Sequence, residues 1–176
     1  MSYFRERGFR DAIIDKFQLG YCLNQRDAFI QYAIKNGYSK DLLLKIGLAS
    51  GSEDRMYDKY QGRVIFPIHN LTGKVIGFGA RILSGDKTKA KYLNSPESEI
   101  YNKSQTLYGI YFAKNEISRL DECILVEGYA DVLSMHQAGI ENTVASSGTS
   151  LTTEQIRLIS RYTKNITILY DGDNAG

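Results

Sequence analysis

The sequence is poor in cysteine, with only Cys22 and Cys123 among its 176 residues. Neither has a second cysteine or a histidine at the spacing of a metal site, which excludes a cysteine-based metal centre. We therefore expect both thiols to be small buried apolar side chains of a protein in a reducing cytosol.

Long apolar runs are missing as well. No stretch reaches the 18 apolar residues that a membrane-spanning helix needs, and the charged N-terminal segment differs from a secretory signal peptide. The net charge is only +2, so a nucleic-acid partner cannot be argued from total charge and must come from local clusters. A hydrophobic content of 43% is enough for one core or two small ones.

The last third of the chain has a strand–helix–strand–helix–strand pattern. Short apolar strands are predicted at 123–126, 142–146 and 166–170, as in a buried parallel sheet. The second helix has the clearest start, because Thr152 and Gln155 form a capping box between the apolar residues Leu151 and Ile156.

Acidic residues follow two of these strands. Glu127 comes after the first strand, Asp131 lies one turn into the next helix, and Asp171 and Asp173 follow the third strand. The carboxyl ends of parallel strands share one edge of a sheet, so the four carboxylates are predicted to lie together. Oxygen ligands without histidine or cysteine suit Mg²⁺ or Mn²⁺. An Asp-Gly-Asp sequence alone indicates only a turn, but its pairing with Glu127 favours a site.

The N-terminal part differs in pattern. Residues 1–50 predict short helices separated by glycines, either a small packed helical unit or, less favoured, a helix-turn-helix DNA reader. A hairpin is predicted with strands at 63–68 and 74–83, where Pro67 suggests an edge or bulge position. In the second strand one face is expected to meet a core (Ile76, Phe78, Ala80, Ile82). The other leaves the bare backbone of Gly77 and Gly79 beside the Arg81 guanidinium, either for the close approach of a ligand or another backbone or for a bend or tight sheet packing.

Positive charge is concentrated between residues 63 and 103, with seven Lys or Arg against three acidic residues. Tyr92 and Tyr101 are interleaved with these cations and could stack on unpaired bases. Such a segment can also be an ordinary solvated basic surface.

Several motifs resemble a known family. Glu127-Gly-Tyr-Ala-Asp-Val132, Ala145-Ser-Ser-Gly-Thr-Ser150 and Tyr170-Asp-Gly-Asp-Asn-Ala-Gly176 resemble the topoisomerase–primase (Toprim) fold, and more narrowly the bacterial replicative DNA primases of the DnaG type. The resemblance implies a Mg²⁺-dependent polymerase that starts RNA primers on single-stranded DNA. The family's glutamate matches Glu127, its Asp-x-Asp pair matches Asp171 and Asp173, and its accompanying acidic position matches Asp131.

The resemblance extends to the basic segment, where four further motifs match in order (63–68, 77–81, 91–97 and 103–109). In that family the segment is a basic ridge that faces the acids across a cleft. It implies contacts to nucleic acid and nucleotides by Arg63, Arg81, Lys91, Tyr92, Asn94 and Lys103. The family's zinc-binding domain and helicase-interacting C-terminal domain have no counterpart in this sequence, so zinc and the replicative helicase are expected to bind only those regions of the parent protein.

The sequence therefore predicts an α+β fold, with a basic mixed α/β subdomain at 1–120 and a partial, truncated Toprim subdomain at 121–176. The predicted function is primer synthesis from ribonucleoside triphosphates in the bacterial cytoplasm, at the nucleoid. Glu127 is predicted as a metal ligand or, alternatively, a general base. Another Toprim phosphodiester enzyme, or a DNA-binding module without chemistry, is the alternative. The family's remaining acids would lie beyond Gly176, so these 176 residues alone are expected to be inactive.

Overall fold

The computed structural model describes residues 2–83, 88–146, 148 and 150–172. Its helices are α1 (Ser2–Glu6), α2 (Asp11–Lys16), α3 (Ala28–Lys35), α4 (Lys40–Lys45), α5 (Ile110–Leu120), α6 (Tyr129–Gln137) and α7 (Thr153–Ile159). Its strands are β1 (Gly20–Cys22), β2 (Ala49–Ser50), β3 (Tyr57–Asp58), β4 (Arg63–His69), β5 (Val75–Ile82), β6 (Tyr92–Asn94), β7 (Cys123–Val126), β8 (Thr143–Ala145) and β9 (Ile166–Ile168). The predicted α+β class is confirmed.

An antiparallel sheet in the order β1-β4-β5-β6 contains the predicted hairpin. The Asn70 side chain closes the turn by accepting the N–H groups of Thr72 and Lys74, each at 3.0 Å. Pro67 was predicted at an edge or a bulge. β4 is not an edge strand, because it lies between β1 and β5, but its pairing with β5 shifts register between Ile68 and His69, next to Pro67. However, β1 pairs with β4 only as far as Ile65, so the missing N–H of Pro67 breaks no ladder on that side.

Aromatic rings pack directly against the backbone of the two glycines of β5. A Cβ added to Gly77 would lie 3.1 Å from the Tyr101 ring, and one added to Gly79 would lie 2.3 Å from the Tyr129 ring. The glycines therefore serve tight packing, which was one of the two alternatives for this face. The expected division of faces holds only in part, because both faces of β5 are partly buried. Ala80 is buried and Ile76 packs against the core as expected, but Gly77 and Gly79 on the other face are buried too.

A parallel sheet in the order β8-β7-β9 follows, as predicted. The Thr152–Gln155 capping box of α7 is also confirmed. The Gln155 amide is fully buried and donates to the backbone carbonyls of Lys103 and Thr106 at 3.1 and 2.8 Å. β9 is two residues shorter than expected, although the Leu169 N–H still bonds the Leu125 carbonyl at 2.8 Å.

The two sheets share one core. Phe4 and Phe66 from the N-terminal part pack in the same buried cluster as Tyr129, Val132 and Leu133 of α6. Helix α5 packs on the parallel sheet, where its residues join β7, β8 and α7 in a second cluster. The predicted division after residue 120 stays a prediction, and the packing assigns α5 to the parallel layer.

A third, smaller cluster holds α3 and α4 against the two-stranded sheet of β2 and β3. The buried Asp58 carboxylate accepts the N–H groups of Phe29 and Ile30 at the start of α3, at 2.8 and 3.0 Å. Burial raises the pKa of Asp58, and these backbone bonds partly offset that rise. This region is organised as a packed unit with its own core.

The two thiols differ in surroundings. Cys123 is buried as expected, whereas Cys22 is half-buried and lines an apolar cleft of about 510 Å³ beside α3. Burial raises the pKa of Cys123 to about 12 and that of Cys22 to about 11. None of the helices in the described ranges has both the length and the apolar character that crossing a bilayer requires.

The contact between Gly79 and Tyr129 predicts a specific cost of substitution. Gly79→Ala should lower the free energy of unfolding by about 1–3 kcal/mol, because the new methyl group overlaps the ring. Gly20→Ala is the matched control in β1, since its Cβ would meet its nearest neighbour at 3.9 Å. The control should change stability by less than about 1 kcal/mol. Urea unfolding of the two variants measures the difference, and equal stabilities would contradict this packing account.

Candidate active site

Two acidic residues meet at the carboxyl edge of the parallel sheet. β7 and β9 are hydrogen-bonded neighbours, so the residues that follow them lie side by side. The Glu127 Oε1 atom accepts the backbone N–H of Asp171 at 2.8 Å. The structure therefore brings Glu127 and Asp171 together, while Asp173 lies outside the described residues.

Asp131 has a structural contact of its own. Its Oδ2 atom accepts the Gly128 N–H at 2.9 Å, which closes the N-terminus of α6. A carboxylate here also interacts favourably with the positive end of the helix dipole. This contact explains an acidic residue at 131 without a metal, so its role as a ligand stays a prediction.

The donor chemistry of this edge suits a hard cation. Glu127 and Asp171 offer carboxylate oxygens, the ligands that Mg²⁺ prefers. Within the described part of the chain, no three side chains of His, Cys, Asp or Glu converge as a metal site. Of the predicted ligands, Glu127 and Asp171 are in contact through the Asp171 backbone N–H, and the ligand set stays a prediction.

The predicted ridge is built on β5 and β6. Arg81 is the register partner of Tyr92, and Gly79 is that of Asn94. Tyr92 is 44% exposed, and the Lys91 Nζ lies 5.9 Å from its ring centroid. Partial burial raises the pKa of Tyr92, while the charge of Arg81 acts in the opposite direction. The pairing of β5 with β6 thus brings together the Arg81 guanidinium, the Lys91 ammonium and the exposed Tyr92 ring.

Tyr3 of α1, and Arg7 directly after that helix, belong to this cluster and were missed by the sequence analysis. The Arg81 Nη1 atom donates to the Tyr3 hydroxyl at 2.5 Å, and the Arg81 Cζ lies 5.3 Å from the Tyr3 ring centroid. Arg7 approaches the same ring at 5.7 Å. The only sequence signal was the i, i+4 spacing of Tyr3 and Arg7, which puts both on one side of a helix.

Arg63 differs from the other predicted cations. It is only 5% exposed, and its guanidinium donates to the backbone carbonyls of Ala90 and Lys91 at 2.9 and 3.4 Å. Burial lowers its pKa. Arg63 therefore supports the chain that leads into β6, and its predicted contact with nucleic acid stays untested.

Lys103 lies in a 3₁₀ turn (Lys103–Gln105) and is half-buried. Burial, and then the positive charge of Lys103, lower the pKa of the half-buried Lys59. Two ammonium groups therefore share one region, and Lys59 was not among the predicted residues. Like charges in proximity favour an anionic ligand between them.

The Tyr129 side chain connects the ridge to the acidic edge. Tyr129 begins α6 two residues after Glu127, and its hydroxyl donates to the Asn94 Oδ1 at 2.7 Å. Its ring stacks on Phe66 at a centroid distance of 5.0 Å and meets the edge of Tyr108 at 4.7 Å. The acidic loop and β6 are therefore held at a defined separation.

Sequence comparison agrees with both halves of this arrangement. Residues 1–114 match the family of the DNA primase catalytic core, N-terminal domain, and residues 124–176 match the Toprim-like family. The chain is 45% identical over 176 residues to a DNA primase of Clostridium acetobutylicum and 38% identical over 178 aligned residues to one of Staphylococcus aureus. These alignments cover 99% and 100% of the chain, but the chain spans only 29% of each relative.

Solved structures give the same result. The RNA polymerase domain of Mycobacterium tuberculosis primase DnaG superposes with a TM-score of 0.91 at 34% identity, over 98% of this chain and 59% of that one. A DnaG primase catalytic domain bound to single-stranded DNA superposes with a TM-score of 0.89 at 39% identity, over 99% and 54%. The Aquifex aeolicus primase, with its zinc-binding and RNA polymerase domains, gives 0.89 at 40% identity, over 99% and 43%. The chain therefore belongs to the DnaG-type DNA primase catalytic-core family.

Proposed function

We propose that this chain is part of a primase core that synthesises RNA primers on single-stranded DNA from ribonucleoside triphosphates. The observation that carries the proposal is the Tyr129–Asn94 hydrogen bond, which joins a carboxylate edge to a basic, aromatic ridge. A polymerase needs both surfaces, because it must hold phosphates and a nucleic-acid backbone next to the reacting groups. The DNA-bound relative supports single-stranded DNA as the template.

Glu127 and Asp171 are the proposed first ligands for Mg²⁺ or Mn²⁺, joined by Asp173 and Asp131. A bound divalent ion supplies charge neutralisation at triphosphate oxygens and activation of an attacking hydroxyl. Glu127 already accepts the Asp171 N–H with one oxygen, which fixes its carboxylate direction in advance. A general-base role for Glu127 is the alternative within the same site.

The ridge is proposed to hold the template and the nucleotide. Arg81, Lys91 and Lys103 would bind phosphates, and the exposed ring of Tyr92 would stack on an unpaired base. Asn94 would contact nucleic acid or the nucleotide from the side of the ridge where its amide faces Tyr129. Arg63 contributes by holding the carbonyls that precede β6.

The resemblance to DnaG-type primases also supports a proposal for where the longer protein works and which partner it binds. Work at the nucleoid in the bacterial cytoplasm, with a replicative helicase as partner, is proposed for the longer protein. The acids expected beyond Gly176 are proposed to be required for turnover.

Glu127→Gln tests the proposed metal site, because it removes the charge and keeps the shape. Primer synthesis by the longer protein with Mg²⁺ should fall by about 100-fold or more. Folding should survive, since the amide oxygen can still accept the Asp171 N–H. Glu53→Gln is the control, an exposed residue far along the chain with the same change in charge. Undiminished primer synthesis by the Glu127 variant would refute the assignment.

The ridge is tested through the salt dependence of binding to single-stranded DNA. Alanine at Arg81, Lys91 or Lys103 should each reduce the slope of log affinity against log salt by about 0.7, because each removes one phosphate contact. Lys35→Ala, at the exposed end of α3, is the matched control and should leave the slope unchanged. Fluorescence anisotropy at several salt concentrations measures the slopes. An unchanged slope in the triple variant would indicate an ordinary solvated surface.

A further inference from the structure

The Tyr3 side chain has a ring that is packed against the core and a hydroxyl that can form hydrogen bonds. Its ring meets the Phe4 ring edge-to-face at 5.3 Å, and Phe4 is fully buried with its own edge contact to Phe66 at 5.7 Å. Tyr3 itself is half-buried, so its hydroxyl reaches the surface while its ring is held by the core. A side chain fixed in this way can orient a neighbour.

The neighbour is Arg81. Its guanidinium donates one N–H to the Tyr3 hydroxyl at 2.5 Å and lies 5.3 Å from the centroid of the same ring. A guanidinium has five N–H donors, so the bonds of Arg81 to Tyr3 and Tyr92 leave further donors for an anion. Among the ion pairs of the described residues, no carboxylate pairs with Arg81. Its positive charge is therefore oriented by Tyr3 without being neutralised there.

Arg63 provides the contrast within the same sheet. Its donors are directed at backbone carbonyls, and the side chain is nearly inaccessible. Arg81 contacts the hydroxyl and ring of Tyr3, and it also bonds the side chain of Tyr92, its exposed register partner. The two arginines are thus used differently, one to hold the protein chain and the other to present donors.

We infer that Tyr3 is a positioning residue that holds the Arg81 guanidinium in the orientation in which it binds a phosphate of single-stranded DNA. The inference rests on the proposed function of the ridge and adds a residue from α1 to it. The physical reason is pre-organisation, because a long arginine side chain that is already ordered loses less conformational entropy when it binds. The Tyr3 hydroxyl thereby contributes to affinity through Arg81.

The test is a double-mutant cycle with Tyr3→Phe and Arg81→Ala in the full chain. Tyr3→Phe keeps the ring contact with Phe4 and removes only the hydroxyl, so the thermal unfolding midpoint should not change. Affinity for a single-stranded DNA oligonucleotide should fall by about 3- to 10-fold. In the Arg81→Ala background the same substitution should have no further effect, because there is no guanidinium left to orient. Tyr38→Phe, at an exposed tyrosine, is the matched control and should bind like the parent.

The outcomes separate this inference from the proposal on which it rests. Loss of affinity with Arg81→Ala but none with Tyr3→Phe overturns the positioning role alone. Equal losses from Tyr3→Phe with and without Arg81 also overturn it, because Tyr3 would then act independently. An Arg81→Ala variant that binds as tightly as the parent overturns both the phosphate contact and the positioning role.

Discussion

The arrangement of the molecule depends on one aromatic ring placed over a bare backbone. Tyr129 lies against Gly79, where a Cβ would come within 2.3 Å of the ring, and its hydroxyl bonds Asn94 on the next strand. Phe66, the register partner of Gly79, stacks on the same ring at 5.0 Å. Because interiors are close-packed, a ring held by these contacts has little freedom to move. The helix that carries Tyr129 is thereby fixed against the antiparallel sheet.

The residues of the proposed site lie next to the Tyr129 ring. Glu127 precedes Tyr129 by two residues and touches the Asp171 backbone, while Arg81 and Tyr92 lie on the strands that Tyr129 covers. The contact therefore sets the distance between the acidic edge and the ridge cations, and the proposed function places one nucleotide between them. A shift of about 1 Å between such groups can cost roughly 100-fold in rate. The packing of Tyr129 therefore also constrains the geometry of the proposed site.

Much of this fold could be predicted from local sequence signals. The contacts between residues that are far apart in the sequence could not. The Thr152–Gln155 capping box and the short apolar strands predict α7 and the parallel sheet because each signal lies within a few residues. The sequence also indicated a close approach at Gly79, but the approaching ring comes from 50 residues downstream and has no local signature. The sequence does not distinguish Arg63 from Arg81, whereas in the structure Arg63 is buried against backbone carbonyls and Arg81 is half-buried against Tyr3.

The central claim is that Tyr129 sets the separation of the ridge from the acidic edge. Its most direct test is the distance distribution between spin labels at Leu83, at the exposed end of β5, and Ser134, on the exposed side of α6, measured by pulsed electron resonance. The account predicts a narrow distribution in the parent protein and a broader or shifted one in Tyr129→Ala. Tyr111→Ala, which removes a partly exposed ring from α5, should leave it unchanged. An unaltered narrow distribution in a folded Tyr129→Ala variant would contradict the account.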